Sequence, residues 1–91
     1  MALDPESPDV RVAVFGRQVE DFMGSDIGQY LSQCIDSEIA DGLLSLRKAP
    51  PAEWKQVAIA QLRIDCAEKL RNWLAEAIQR GYEARELLED Q

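Results

Sequence analysis

Thiols and carboxylates are the groups in this chain whose chemistry could serve a reaction. The sequence has two cysteines and 17 acidic residues but no histidine. Histidine is the commonest general base near neutral pH and the commonest metal ligand. Its absence also removes the usual partner of a nucleophilic serine or cysteine. We therefore predict no catalytic residues and no enzyme activity.

The two cysteines, Cys34 and Cys66, lie 32 positions apart and form no Cys-x-x-Cys motif. A structural zinc site needs four strong ligands, and this sequence does not supply the other two. We expect buried, reduced thiols. A disulfide between facing helices and a reactive thiol are the alternatives.

A short stretch of carboxylates could in principle bind a cation. Glu20, Asp21 and Asp26 lie close in sequence, but they do not form the alternating acidic pattern of a calcium loop. Residues 16–24, GRQVEDFMG, lack the spacing and the Lys-Ser/Thr pair of a phosphate-binding loop. We predict no metal site and no cofactor.

The net charge of −7 is unevenly distributed along the chain. Residues 1–41 carry nine acidic and two basic residues, whereas residues 42–91 carry eight of each. The acidic part would repel a phosphate backbone, so direct nucleic-acid binding is not expected. The charge indicates either a solvated surface or a docking face for a basic partner. The candidate acidic face consists of Glu20, Asp21, Asp26, Asp36, Glu38 and Asp41.

The apolar pattern predicts three helices in a single all-α domain, residues 1–91. The first helix covers about residues 8–23, with Ser7 as N-cap and Pro8 in the first turn. Gly24 supplies its stop, and Ser25 is the cap of the next helix. Its apolar face has helical spacing: Val12, Phe15, Val19 and Phe22. The alternation at residues 10–15 also fits a strand paired with a partner. Residues 1–7 are expected to be a flexible arm.

Two longer helices should form an antiparallel hairpin, at about residues 26–48 and 51–80. Two prolines in the segment RKAPPAEW end the first of these helices, and Pro51 can open the second. Around this turn, opposed apolar positions have numbers that add to 100 or 101, as a helical hairpin requires. The predicted second-helix face is Ile27, Leu31, Ile35, Ile39, Leu43 and Leu46. The predicted third-helix face is Trp54, Val57, Leu62, Cys66, Leu70, Trp73 and Ala77.

Apolar residues remain beyond the end of this hairpin. Either the first helix covers them, giving a three-helix bundle, or a second copy does, giving a dimerised hairpin. Residues 82–91 would then be a frayed or partner-bound tail. Excess apolar surface usually marks an interaction site, so we predict a homo-oligomer, with a dimer favoured. The candidate partner-binding residues are Phe15, Phe22, Ile78, Tyr82, Leu87 and Leu88.

Parts of the sequence resemble known phage proteins. Residues 11–31, RVAVFGRQVEDFMGSDIGQYL, and residues 67–81, AEKLRNWLAEAIQRG, are similar to small acidic proteins of tailed bacteriophages. Those proteins are encoded near genes for packaging and particle structure. The resemblance implies a viral protein that binds phage or host proteins during virion assembly or genome packaging. It carries no catalytic motif.

Two functions fit these observations. One is a non-catalytic accessory in phage particle assembly or packaging. The alternative is an acidic inhibitor that occupies a basic, nucleic-acid-binding surface of a host defence protein. Apolar runs of two to four residues are too short to span a membrane, and no signal peptide is expected. We therefore expect the protein in the host cytoplasm or the virion, neither secreted nor in a membrane.

Overall fold

The computed structural model describes residues 7–90, and this part of the chain consists of three α-helices without a strand. Helix α1 spans Pro8–Gly24, α2 spans Asp26–Lys48 and α3 spans Trp54–Glu89. The predicted all-α class is confirmed, and residues 10–15 are helical. The predicted arm at residues 1–7 lies outside the described residues except for Ser7.

A single residue, Ser25, separates α1 from α2. Its hydroxyl accepts a hydrogen bond from the Gly28 amide at 3.1 Å, which caps α2. Its own amide donates to the Phe22 carbonyl at 3.0 Å and closes the last turn of α1. The predicted stop at Gly24 and cap at Ser25 are therefore confirmed. At the start of α1, Ser7 holds the N-cap position without a side-chain hydrogen bond, and Pro8 follows it.

The turn between α2 and α3 differs in detail from the prediction. The Glu53 amide donates to the Pro50 carbonyl at 2.9 Å, so residues 50–53 form a turn. The prediction that Pro51 opens the third helix is wrong, because this turn delays the helix to Trp54. At its other end α3 continues to Glu89, nine residues beyond the predicted limit. The tail from residue 82 is helical through Glu89 and not frayed.

Helices α2 and α3 form the predicted antiparallel hairpin. Arg63 Nε donates to Glu38 Oε1 at 2.6 Å, and these position numbers add to 101, as the predicted register requires. Farther from the turn, Arg71 approaches Asp36 at 3.6 Å. The hairpin is therefore antiparallel, and the Glu38–Arg63 pair agrees with the predicted register.

Helix α1 packs against the part of α3 that extends past the start of α2. Gly16 of α1 lies against Ala77 and Gly81 of α3. Both α1 and α2 contact α3 far more than they contact each other. The first helix therefore covers the overhang, as the three-helix alternative predicted. The protein is a rod with extents of 64 × 25 × 18 Å.

The core is thin and made mainly of small residues. Its buried apolar side chains are Ile35, Ala60, Ile64, Ala67 and Ala84. The predicted face of α3 is wrong, because Trp54, Leu62, Cys66 and Trp73 are exposed. Small side chains let the helix backbones approach closely. Packing through the small residues of α3, called the alanine seam, is therefore favoured over packing through the large residues of the predicted face. On α2 the prediction is partly right: Ile35 is buried, whereas Ile27 and Leu43 are exposed.

Candidate interaction surface

Two glycines form the closest point between α1 and α3. A Cβ atom on Gly16 would lie 2.7 Å from both the Ala77 carbonyl oxygen and the Gly81 Cα. A Cβ atom on Gly81 would lie 2.8 Å from the Gly16 Cα. The backbones themselves meet here, so no side chain fits between them. Large apolar neighbours such as Phe15 lie beside the crossing and remain exposed.

The α2–α3 interface is close-packed in the same way at Gly42. A Cβ atom there would lie 2.5 Å from Ile64 Cγ1 and 3.3 Å from the Ala60 carbonyl oxygen. The space between these helices is thus filled by two isoleucines, Ile35 and Ile64, and by small residues. Leu62 has no room in this seam and is 63% exposed.

Apolar side chains therefore accumulate on the outside of the molecule. Among the described residues no large side chain is fully buried, whereas fourteen large apolar ones are exposed. Burying one such side chain is typically favourable by about 1.5–3 kcal/mol, so leaving many in water forgoes much stability. The exposed set is Val12, Val14, Phe15, Phe22, Ile27, Tyr30, Leu43, Leu44, Trp54, Ile59, Leu62, Trp73, Tyr82 and Leu87.

The predicted partner-binding residues are partly exposed and partly covered. Phe15 and Leu87 are 58% and 56% exposed, and Phe22 and Tyr82 are also exposed. Ile78 and Leu88 are half-buried. The structure thus leaves four of the six accessible, at the end of the rod where α1 covers α3.

Trp73 belongs to this end surface, although sequence reasoning placed it in the core. It lines a cleft of about 400 Å³ between α1 and α3 together with Val12, Phe15 and Ala77. Its side chain is 58% exposed. The steps of three and four residues that identified Trp73 locate an apolar stripe but do not say which partner covers it.

The candidate acidic face is partly neutralised by its neighbours. Asp36 and Glu38 pair with arginines of α3, and Asp21 approaches Arg17 at 3.4 Å. Asp26 and Asp41 make no ion pair within residues 7–90. The face is thus less negative than its sequence indicates.

Glu20, the remaining member of that face, accepts a hydrogen bond from the Tyr82 hydroxyl. This bond ties α1 to α3 and raises the pKa of Tyr82, because the neutral phenol donates to the carboxylate. Similarly, the hydrogen bond from Arg63 lowers the pKa of Glu38 and raises that of the guanidinium. Both carboxylates therefore hold helices together in addition to contributing surface charge.

Cys34 and Cys66 are both free and exposed. They line an open groove of about 530 Å³ along one side of the α2–α3 hairpin, with Leu31, Leu62 and Leu70. The expected burial of these thiols is wrong, because the alanine seam displaces the cysteine-containing ladder to the outside. The alternative of a disulfide is not realised, but the two thiols do share one groove.

Neither a metal-binding cluster nor a membrane-spanning helix is found in residues 7–90. This part of the chain contains no group of three or more histidine, cysteine, aspartate or glutamate residues arranged to hold a metal ion. None of its three helices is both long and apolar enough to cross a membrane.

Comparison with known proteins supplies no relative for this chain. No family model, no curated protein and no solved structure matches it significantly.

Proposed function

We propose that this chain is a non-catalytic protein that acts by binding copies of itself and other proteins of an assembly. The observation that carries the proposal is the imbalance between a thin core and fourteen exposed large apolar side chains. Exposed apolar side chains that line one cleft, as Phe15 and Trp73 do, usually mark a protein–protein interface. A rod of three helices offers such surface along its sides and at its ends.

The end surface where α1 covers α3 is the proposed docking site for a different protein. Phe15 and Trp73 line its cleft, with Leu87 farther along α3. Arg80 and Glu76 also line this cleft and add polar groups that could orient a partner. Aromatic anchors surrounded by polar groups are typical of the energetically important centre of an interface.

The biological setting of the proposal is assembly of a tailed-phage particle or packaging of its genome. This setting rests on the resemblance of residues 11–31 and 67–81 to phage proteins, and on nothing in the geometry. We prefer it to the acidic-inhibitor alternative because Arg63 and Arg71 offset two of the six carboxylates of the acidic face. A mimic of nucleic acid needs dense, unpaired negative charge over a broad surface.

Co-expression of a tagged and an untagged copy tests the proposal. We expect the tagged chain to recover the untagged one. We also expect a tagged Phe15→Glu variant to recover less of the other phage proteins that the tagged wild type binds. Val14→Glu is the matched control, since Val14 is also exposed on α1 but does not line the cleft. Recovery of neither the untagged copy nor a defined partner would contradict the proposal.

A further inference from the structure

A groove of about 530 Å³ runs along the α2–α3 hairpin, away from the cleft between α1 and α3. Leu31 and Leu70 lie toward one end of it, and Glu38 and Arg63 lie toward the other. Cys34 and Cys66 lie between these pairs, near its middle. Both arms of the hairpin thus contribute apolar side chains to one surface.

Helices α2 and α3 already bury one apolar face against each other, and the groove is a second apolar face beside it. On α3, Ile64 and Ala67 face α2, whereas Leu62, Cys66 and Leu70 follow at steps of four residues on the adjoining side. A helix in a simple pair needs one apolar stripe, but a helix in a four-helix bundle needs a wider one that faces two neighbours. The apolar surface of α3 is therefore as wide as that of a helix in a four-helix bundle. The α2–α3 hairpin supplies two of the four helices.

The exposed area of the protein is also that of an incomplete unit. The chain exposes 6977 Å², whereas a compact monomer of its mass exposes about 5,300 Å². The excess per chain, about 1,700 Å², is about twice the roughly 800 Å² that each partner of a standard protein–protein interface buries. Pairing of two elongated hairpins along their sides would remove part of this surface.

Charges around the groove permit contact between identical copies. Its lining includes one acidic residue, Glu38, and one basic residue, Arg63, and these two form an ion pair within the chain. A second copy would therefore bring an apolar surface with a neutral charge sum, and no like charges would have to be buried. Of the acidic residues at positions 7–41, Glu38 is the one that lines the groove.

We propose that a second copy of this chain occupies the groove, so that two α2–α3 hairpins pack face to face as a four-helix bundle. The inference rests on the proposed function and identifies the surface through which copies associate. A two-fold interface uses the same patch on both copies, so its axis passes near the middle of the groove. Cys34 and Cys66 of each copy then lie close to those of the other and become protected from solvent.

Leu62→Glu tests this arrangement with Leu43→Glu as its matched control. The two leucines are 63% and 55% exposed, so neither substitution should disturb the fold, which far-UV circular dichroism can verify. Leu43 lies on α2 and does not line the groove. Leu62→Glu should raise the dimer dissociation constant on the order of 100-fold, because each copy would bury a carboxylate in an apolar interface. Leu43→Glu should leave it unchanged.

Size-exclusion chromatography with light scattering measures the association. The rate of thiol modification by a maleimide measures how accessible the two cysteines of the groove are to solvent. We expect slow modification in wild type and faster modification in Leu62→Glu. A dimer that survives Leu62→Glu, with thiols equally reactive in both proteins, overturns the groove assignment but leaves self-association intact. A wild type that stays monomeric at all concentrations overturns both the groove assignment and the self-association in the proposed function.

Discussion

Replacing Gly16 with alanine tests the close crossing of α1 and α3. The added Cβ would lie 2.7 Å from two backbone atoms, whereas ordinary van der Waals contact begins near 3.4 Å. Backbone atoms cannot rotate away as a side chain can, so the two helices must separate. Overpacking of this kind usually costs about 1–3 kcal/mol, and alanine in place of glycine returns up to ~1 kcal/mol of helix propensity. We expect a net loss of about 1–2 kcal/mol.

Gly24→Ala is the internal control for this measurement. Nothing lies within 4 Å of a Cβ at that position, and no glycine among the described residues has a positive φ. The control should therefore be neutral or stabilising by about 0.5 kcal/mol. Urea unfolding followed by circular dichroism measures both variants, at one fixed protein concentration because association would couple to stability. If Gly16→Ala is as stable as wild type while Gly24→Ala behaves as expected, the crossing is not as close as described.

Three further predictions concern the core and its polar links. Ile64→Ala should destabilise by about 2–4 kcal/mol, whereas Trp73→Ala should cost less than about 1 kcal/mol, as urea unfolding can show. Because the pKa of Glu38 is lowered from its ordinary value of 4.5, its ion pair stabilises fully above that pH and is lost as pH falls through the folded pKa. Glu38→Gln should thus flatten the acid dependence of the urea midpoint between about pH 5 and 3. Glu20→Gln should lower the pKa of Tyr82, measured by tyrosinate absorbance in a variant whose other tyrosine is phenylalanine.

Each of these predictions has a contrary outcome. A larger loss of unfolding free energy for Trp73→Ala than for Ile64→Ala would indicate that the large residues of α3, and not the small ones, form the core. An acid profile that is the same with glutamine at position 38 would mean that the Arg63 pair makes no pH-dependent contribution. An unchanged pKa of Tyr82 in Glu20→Gln would mean that Tyr82 and Glu20 do not form the hydrogen bond between α3 and α1.

Much of the fold followed from the sequence because its signals are local. The cap at Ser25, the stop at Gly24 and the double proline at residues 50–51 each act within one helical turn. They fixed α1 and α2 to within one residue of the structure. The hairpin register followed as well, since a short turn leaves two apolar helices few ways to align.

The orientation of α3 could not be predicted in the same way. Its helix carries a stripe of small residues, including Ala60, Ala67 and Gly81, beside a stripe of large ones, and both have helical spacing. Reasoning from hydrophobicity places the large stripe inside. The structure places the small stripe inside, because Gly16 and Gly42 on the facing helices allow backbone contact that large side chains would prevent. That preference depends on two helices at once, and a single-helix pattern does not contain it.

The candidate surface was correspondingly only half predicted. Exposed positions on α1 and at the end of α3, such as Phe15 and Leu87, follow from an excess of apolar residues over the available core. The groove that contains Cys34 and Cys66 was assigned to the interior, because the large stripe was assigned there. The acidic face also changed, since its pairing with arginines of α3 depends on the hairpin being formed.

Sedimentation equilibrium of the purified wild-type chain is the most direct test of the central claim, which is self-association through exposed apolar surface. The chain has a mass of 10.2 kDa. The account predicts that the weight-average mass rises with concentration toward twice that value. It also predicts that the mass remains near that of one chain in Leu62→Glu. A wild type that sediments as a single chain over the whole micromolar range would contradict the account.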